Sequence, residues 1–274
     1  MDADRLPSDL AQWGTAVRRQ LRFYLKTWRF LGLLLFVVIV GAASTVVTIY
    51  YHSSGTSASD AMYSGTTGIA IFGVIVGAFI GGDAIAMDFG SGTGYFMLVL
   101  PVRRIVLLLG RFAAAFLVSL ALLAVFYAYT LLGAAWFYGL ALPWLDTAAS
   151  IGMAALFLLA ILAVAFLFSS FFRNPAVSMV VTILVLFLGF DIVDGILVLT
   201  SIEPWFSILY AGGAISNIFE SQPHLVVTHT MGPRGLSIHS WSPYVWEGVV
   251  IMLGYFVICL ALSAFIYQRK ESKG

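Results

Sequence analysis

Asp191 and Asp194 stand three residues apart in an otherwise continuous run of Val, Leu, Ile and Phe. That spacing puts both carboxylates on one face of a helix. If the run is a membrane span over 176–195, Asp191 falls roughly 5 Å and Asp194 roughly 10 Å beyond its midpoint. A carboxylate at such depth is costly and faces protein or water, where it can attract a cation, a proton or a cationic substrate. The alternative is a helix that ends near Gly195 and leaves the pair at the outer interface. The four histidines, His52, His224, His229 and His239, fall with Met231 in polar stretches. Imidazole and thioether are ligands for copper or zinc, but the spacing fits no compact ligand set, so no metal ligand is expected. Neither GxSxG nor GxxxxGK[ST] occurs, nor a Gly-Lys dipeptide. The chain is therefore read as neither a hydrolase nor a P-loop nucleotide binder, with no catalytic residue and no cofactor of its own.

A third set of residues occupies 83–111. Asp83 and Asp88 open it, a GSGTG run containing Gly92 and Thr93 follows, and Pro101, Arg103, Arg104, Gly110 and Arg111 close it. The beginning is too polar to continue a membrane span, whereas 95–100 is apolar enough to lie along a membrane or against a partner. This order describes a short helix outside the membrane followed by a turn back into it. The plainer alternative is a loop whose charges only set topology.

The elements that must position these residues are membrane helices. Of 274 residues, 61% are hydrophobic and 10% charged, against about a quarter charged in soluble domains. Windows long enough to cross a bilayer lie at about 30–50, 61–82, 112–136, 147–172, 176–195 and 245–268. The predicted class is an all-α polytopic membrane protein with six transmembrane helices, forming a single transmembrane domain over 1–274. All 14 lysines and arginines except Arg234 fall on one side of those spans. The positive-inside rule makes that side cytoplasmic, with both termini on it and 83–111 exposed there. The apolar stretch 204–219 is too short and glycine-rich for a seventh span, which would also move the basic tail outside. It is expected to be a re-entrant or interfacial segment within an outer loop, 200–244.

Over 8–29, apolar residues recur at Leu10, Trp13, Val17, Leu21, Tyr24 or Leu25, and Trp28, while Arg18, Arg19, Arg22, Lys26 and Arg29 take the other face. This is an amphipathic helix, lying on the inner membrane surface or simply solvated, with Pro7 and Ser8 marking its start. Nothing in 1–29 has the form of a secretory signal peptide. Asp146 is expected to cap the fourth span, and Asn174 with Pro175 to turn the chain into the fifth. Gly68, Gly73, Gly77 and Gly81 allow close helix contact along the second span, within the chain or between subunits. Tryptophans cluster at both boundaries as membrane anchors. Cys259, the single cysteine, lies in the last span and has no partner for an intrachain disulfide.

The order of features in 83–111 resembles the permease subunits of ATP-binding cassette exporters of the type-2 family. Asp83, Asp88, Gly92 with Thr93, Pro101, Arg104, and Gly110 with Arg111 match in sequence, with Arg103 beside them. The amphipathic helix, six spans and longer final outer loop are similar too. The resemblance implies that 83–111 is a coupling segment seated on a cytoplasmic ABC ATPase subunit, present in two copies and carrying ATP and Mg. It also implies a second permease subunit, identical or homologous, and a path through the cell membrane for lipid, peptide or drug-like molecules. Asp191 and Asp194 are candidates for that path. Besides these partners only membrane lipid is expected, and no nucleic acid. The rival reading is a secondary transporter or channel that needs no ATPase; it predicts intramembrane charge and inverted repeats, of which only the aspartate pair is present.

Overall fold

The computed structural model describes residues 8–51, 57–87, 104–200, 202–220, 227–231 and 236–269. Six helical stretches are long and apolar enough to cross a membrane: Trp28–Tyr50, Ala58–Gly81, Ile105–Tyr138, Trp144–Phe171, Pro175–Leu199 and Val245–Arg269. The chain is an all-α polytopic membrane protein.

Helix α1, Asp9–Lys26, starts at Ser8, whose hydroxyl accepts from the Ala11 amide. It ends at Thr27, where the backbone becomes extended (φ −86°, ψ 136°), so α1 does not run straight into the first span, α2, Trp28–Tyr51. The second span is made of α3, Ala58–Thr66, and α4, Ile69–Gly81. It begins earlier than the hydropathy window because Ser57 and Asp60 form a capping box, each side chain accepting from the other's amide. The third span is α5, Arg104–Tyr138. Its 35 residues make a rod of roughly 52 Å, longer than a bilayer core needs. The fourth is α6, Trp144–Phe171. Pro143, not Asp146, stands at its N-cap, and Asp146 lies in the first turn, where its charge favours the positive end of the helix dipole. Asn174 accepts from the Ala176 amide and Pro175 takes the first position of α7, Pro175–Leu184, as expected. The fifth span continues through a π-helical turn, Val185–Gly189, into α8, Phe190–Leu199.

After the fifth span, α9, Ile208–Asn217, is ten residues long. At about 15 Å it is half the length a span requires. Three hydroxyl and amide contacts seat it: Ser150 on α6 donates to the Ile215 carbonyl (2.9 Å), Tyr127 on α5 lies 2.7 Å from Ser150 Oγ, and Asn217 donates to the Pro243 carbonyl (3.2 Å). Ser150 has one proton, spent on Ile215, so Tyr127 is the donor to Ser150. Strands β1, Val227–Met231, and β2, Leu236–Ser240, then pair antiparallel, with Thr228 opposite His239 and His229 opposite Ile238. This hairpin, within an outer excursion otherwise expected to be loop, is the one strand pair among the described residues. Its Thr, Val and Ile content and the intervening Gly-Pro-Arg-Gly sequence suit it. The last span is α10, Val245–Arg269.

The core sits around α6, where Phe157, Leu158, Ile161, Leu162 and Phe166 have almost no exposed surface. Against it runs the second span's glycine stripe. A Cβ at Gly73 would lie 2.7 Å from the Phe157 ring, at Gly77 2.4 Å from Ile161 Cγ2, and at Gly81 2.8 Å from Ala165 Cβ. Both series step by four and rise together, so α4 and α6 run parallel with backbones in close approach. The stripe is thus used inside the chain; Gly68 meets open space. The second, third and fourth spans carry most of the buried surface, while the first, fifth and last lie at the edge of the bundle.

Candidate functional site

At the end of the second span, a charged knot gathers the root of 83–111. Arg29, the second residue of the first span, ion-pairs with Asp83, which is only 3% exposed. Tyr24 on α1 donates its hydroxyl to the Ile80 carbonyl (3.0 Å). Arg111 on α5, also buried, donates to the Ala84 carbonyl (3.1 Å). Ser169 on α6 accepts from the amides of both Ile85 and Ala86 (2.9 and 3.0 Å). The chain leaving α4 is therefore held by four other elements between Ile80 and Ala86, at the root of the segment. Gly110 sits where α1 crosses α5: a Cβ there would come within 2.9 Å of Ala16 Cβ. This close crossing lets α1 lie against the first turns of the third span.

Burial pushes the Asp83 carboxyl up to about 6, Arg29 opposing the shift. The same burial, with the Asp83 charge beside it, raises Tyr24 well above the usual tyrosine range. A buried carboxylate left without its cation is strongly disfavoured, so Arg29 is what keeps Asp83 ionised near neutral pH.

Of the residues singled out in the sequence, the structure thus brings Asp83 and Arg111 together through the turn that follows α4, and places Gly110 one residue away under α1. Arg104 opens α5. Asp88, Gly92, Thr93, Pro101 and Arg103 lie outside the described residues. Nothing in the sequence marks Ser169 or Tyr24 as members of this knot, and Arg29 reads there only as part of a basic face. Partners more than fifty residues apart leave no local signal.

A second cluster lies toward the other end of the bundle. Asp194 accepts from Ser207 Oγ (2.6 Å), and Ser207 also caps α9 by accepting from the Tyr210 amide. Asp194 Oδ1 is buried without a hydrogen-bond partner. Tyr210 donates to Glu203, and Tyr255 on the last span to the Phe206 carbonyl (2.9 Å). Asp191, one turn back, is exposed. The fifth span does not end at the pair: it runs on to Leu199. The π-helical turn that precedes Asp191 was invisible in the sequence; such turns recur at functional positions. Of the histidines, His229 and His239 occupy different rungs of the hairpin, and His52 and His224 lie outside the described residues.

Six apolar helices, a basic amphipathic helix and a polar segment rooted in a charged knot define a multi-pass membrane protein. A family model described as "ABC-2 family transporter protein" matches residues 16–272. The chain belongs to the ABC-2 transporter family, and is accordingly a membrane permease subunit of an ABC transporter. Permeases of this family are transport components, not catalytic subunits, and work with an ATP-binding subunit. No curated protein matches the chain.

Proposed function

We propose that the chain is the permease of an ATP-driven exporter. It pairs with a second permease, identical or homologous, above two cytoplasmic ABC ATPase subunits that bind ATP and Mg. Both termini and 83–111 face the cytoplasm, as the one-sided distribution of lysine and arginine supports.

The observation that carries this reading is the knot. Arg29, Asp83, Arg111 and Ser169 belong to, or directly adjoin, four different spans, and all converge within four residues of the segment's start. Movement imposed on 83–111 by a partner reaches those four spans through one ion pair and three hydrogen bonds. Asp88, Gly92, Thr93, Pro101, Arg103 and Arg104 are the residues of the segment that meet the ATPase.

The fifth span supports the pairing. It lies at the bundle's edge yet carries an exposed carboxylate, Asp191, inside its apolar length. Lipid is a poor solvent for that group. This face therefore borders the second permease and the path between the two, which Asp191 and Asp194 line. With so few charges, the path suits amphipathic molecules.

Export of a fluorescent amphiphile from vesicles containing permease and ATPase tests the reading. Replacing Asp88 and Thr93 by alanine lowers ATP-driven flux by about tenfold, an ordinary coupling free energy, without loss of extractable folded protein. Replacing Asp191 and Asp194 by asparagine lowers flux while ATP hydrolysis continues. Flux that persists without ATP would sink the proposal in favour of a secondary transporter.

A further inference from the structure

The outward face of α1 carries a ridge of cations. Arg18, Arg22 and Lys26 follow one another at four-residue steps, with Arg19 beside them, and all four are exposed. Like charges at that spacing destabilise a helix when nothing opposes them. Among the described residues no carboxylate pairs with any of the four; the ion pair present there is Arg29–Asp83. The opposite face is occupied, with Val17 and Tyr24 buried against the bundle and Gly110 admitting Ala16. The ridge therefore cannot turn inward to find a counter-charge.

Its flanks are apolar. Phe23 and Leu25 are exposed on either side, and Trp28, where the first span begins, is 86% exposed. Leu31 and Leu35 continue the exposed apolar surface up that span. A row of cations bordered by exposed aromatic and aliphatic side chains, at the foot of a membrane helix, matches one molecule in both halves: a phospholipid with a net negative headgroup. Trp28, Leu31 and Leu35 offer acyl chains an apolar track, and the ridge offers the headgroup phosphate its cations.

We infer that Arg18, Arg19, Arg22 and Lys26 form a binding surface for anionic phospholipid, holding α1 at the membrane boundary. The inference depends on the chain's place in the membrane and not on the exporter reading, so either can fail alone. The bound headgroup supplies the counter-charge that the helix lacks, and α1 transmits this to the knot, since Tyr24 and the turn before Arg29 belong to the same element.

The test is native mass spectrometry of the full chain released from nanodiscs that mix phosphatidylglycerol with phosphatidylcholine. The wild type retains phosphatidylglycerol in preference. In the variant with Arg18→Gln, Arg22→Gln and Lys26→Gln, the preference falls by about fivefold per cation removed. Arg18→Lys with Arg22→Lys keeps it, which separates lost charge from lost folding, and Arg173→Gln, a cation outside the ridge, also keeps it. Equal retention of both lipids by the wild type overturns the inference. So does a glutamine variant with undiminished preference.

Discussion

Replacing Gly77 by leucine is expected to abolish recovery of folded protein, read as the loss of a monodisperse peak after detergent extraction. Ile161 Cγ2 already stands 2.4 Å from where the first added carbon would go, and Ile161 has no exposed surface. Its β-branched side chain has little rotamer freedom inside a helix to move aside. Even Gly77→Ala overpacks the contact, at about 1–3 kcal/mol. Ile161→Ala alone leaves a cavity and costs about 2–5 kcal/mol. Because each substitution relieves what the other causes, the double variant loses less than the two singles summed, by about 1 kcal/mol or more. Strict additivity would mean that α4 and α6 do not meet at this point.

The second large effect is a pH-dependent loss of stability in Arg29→Ala. The Asp83 carboxyl is raised to about 6 in the folded chain, against an ordinary value near 3.9. Its contribution to stability is thus complete below about pH 4 and is lost as pH rises through 6, by about 3 kcal/mol in all. Above pH 6 the wild type levels off, because Asp83 is ionised in both states. Without Arg29 the carboxyl stays protonated to higher pH and the loss continues. Arg29→Ala is therefore close to wild type at pH 5 and weaker by about 1–3 kcal/mol at pH 8, the half-exposed arginine setting the lower figure. Asp83→Asn removes the dependence altogether. Thermal midpoints of the purified protein at pH 5, 6, 7 and 8 check this, and parallel curves for wild type and Arg29→Ala would refute the assigned role of the ion pair.

What the sequence made legible follows from what is local in it. Six spans, the helical start at Ser8 and the Asn174-Pro175 turn each depend on a few neighbouring residues, and they stand in the structure. The glycine spacing of the second span announced close contact but not its partner, because Phe157, Ile161 and Ala165 lie more than eighty residues away. Asp83 and Arg111 were singled out as members of the segment that the resemblance implies couples to an ATPase. Their side chains are turned into the bundle, where Asp83 meets Arg29 and Arg111 meets the Ala84 carbonyl, contacts that no local pattern announces. These contacts anchor the root of the segment. The π-helical turn Val185–Gly189 has no compositional mark, and Asp146, the more familiar capping residue, falls in the first turn of α6 while Pro143 stands at its N-cap. The hairpin escaped because its strands are short and lie in a polar stretch.

The Asp191 and Asp194 pair kept its place in the fifth span but divided its roles. Asp194 ties the span to α9 through Ser207, whereas Asp191 is left exposed. Asparagine at 194 preserves an acceptor for Ser207, so the paired substitution removes charge without cutting that tie.

Affinity purification of the tagged chain from its own membranes, with the stoichiometry and ATP hydrolysis of whatever remains bound, decides whether the chain serves an ATP-driven transporter. An ABC ATPase is expected at one copy per permease, with vanadate-sensitive hydrolysis, released when Asp88 and Thr93 are replaced by alanine. A chain that purifies without an ATPase and still supports flux, or an ATPase whose attachment ignores 83–111, would contradict the exporter reading.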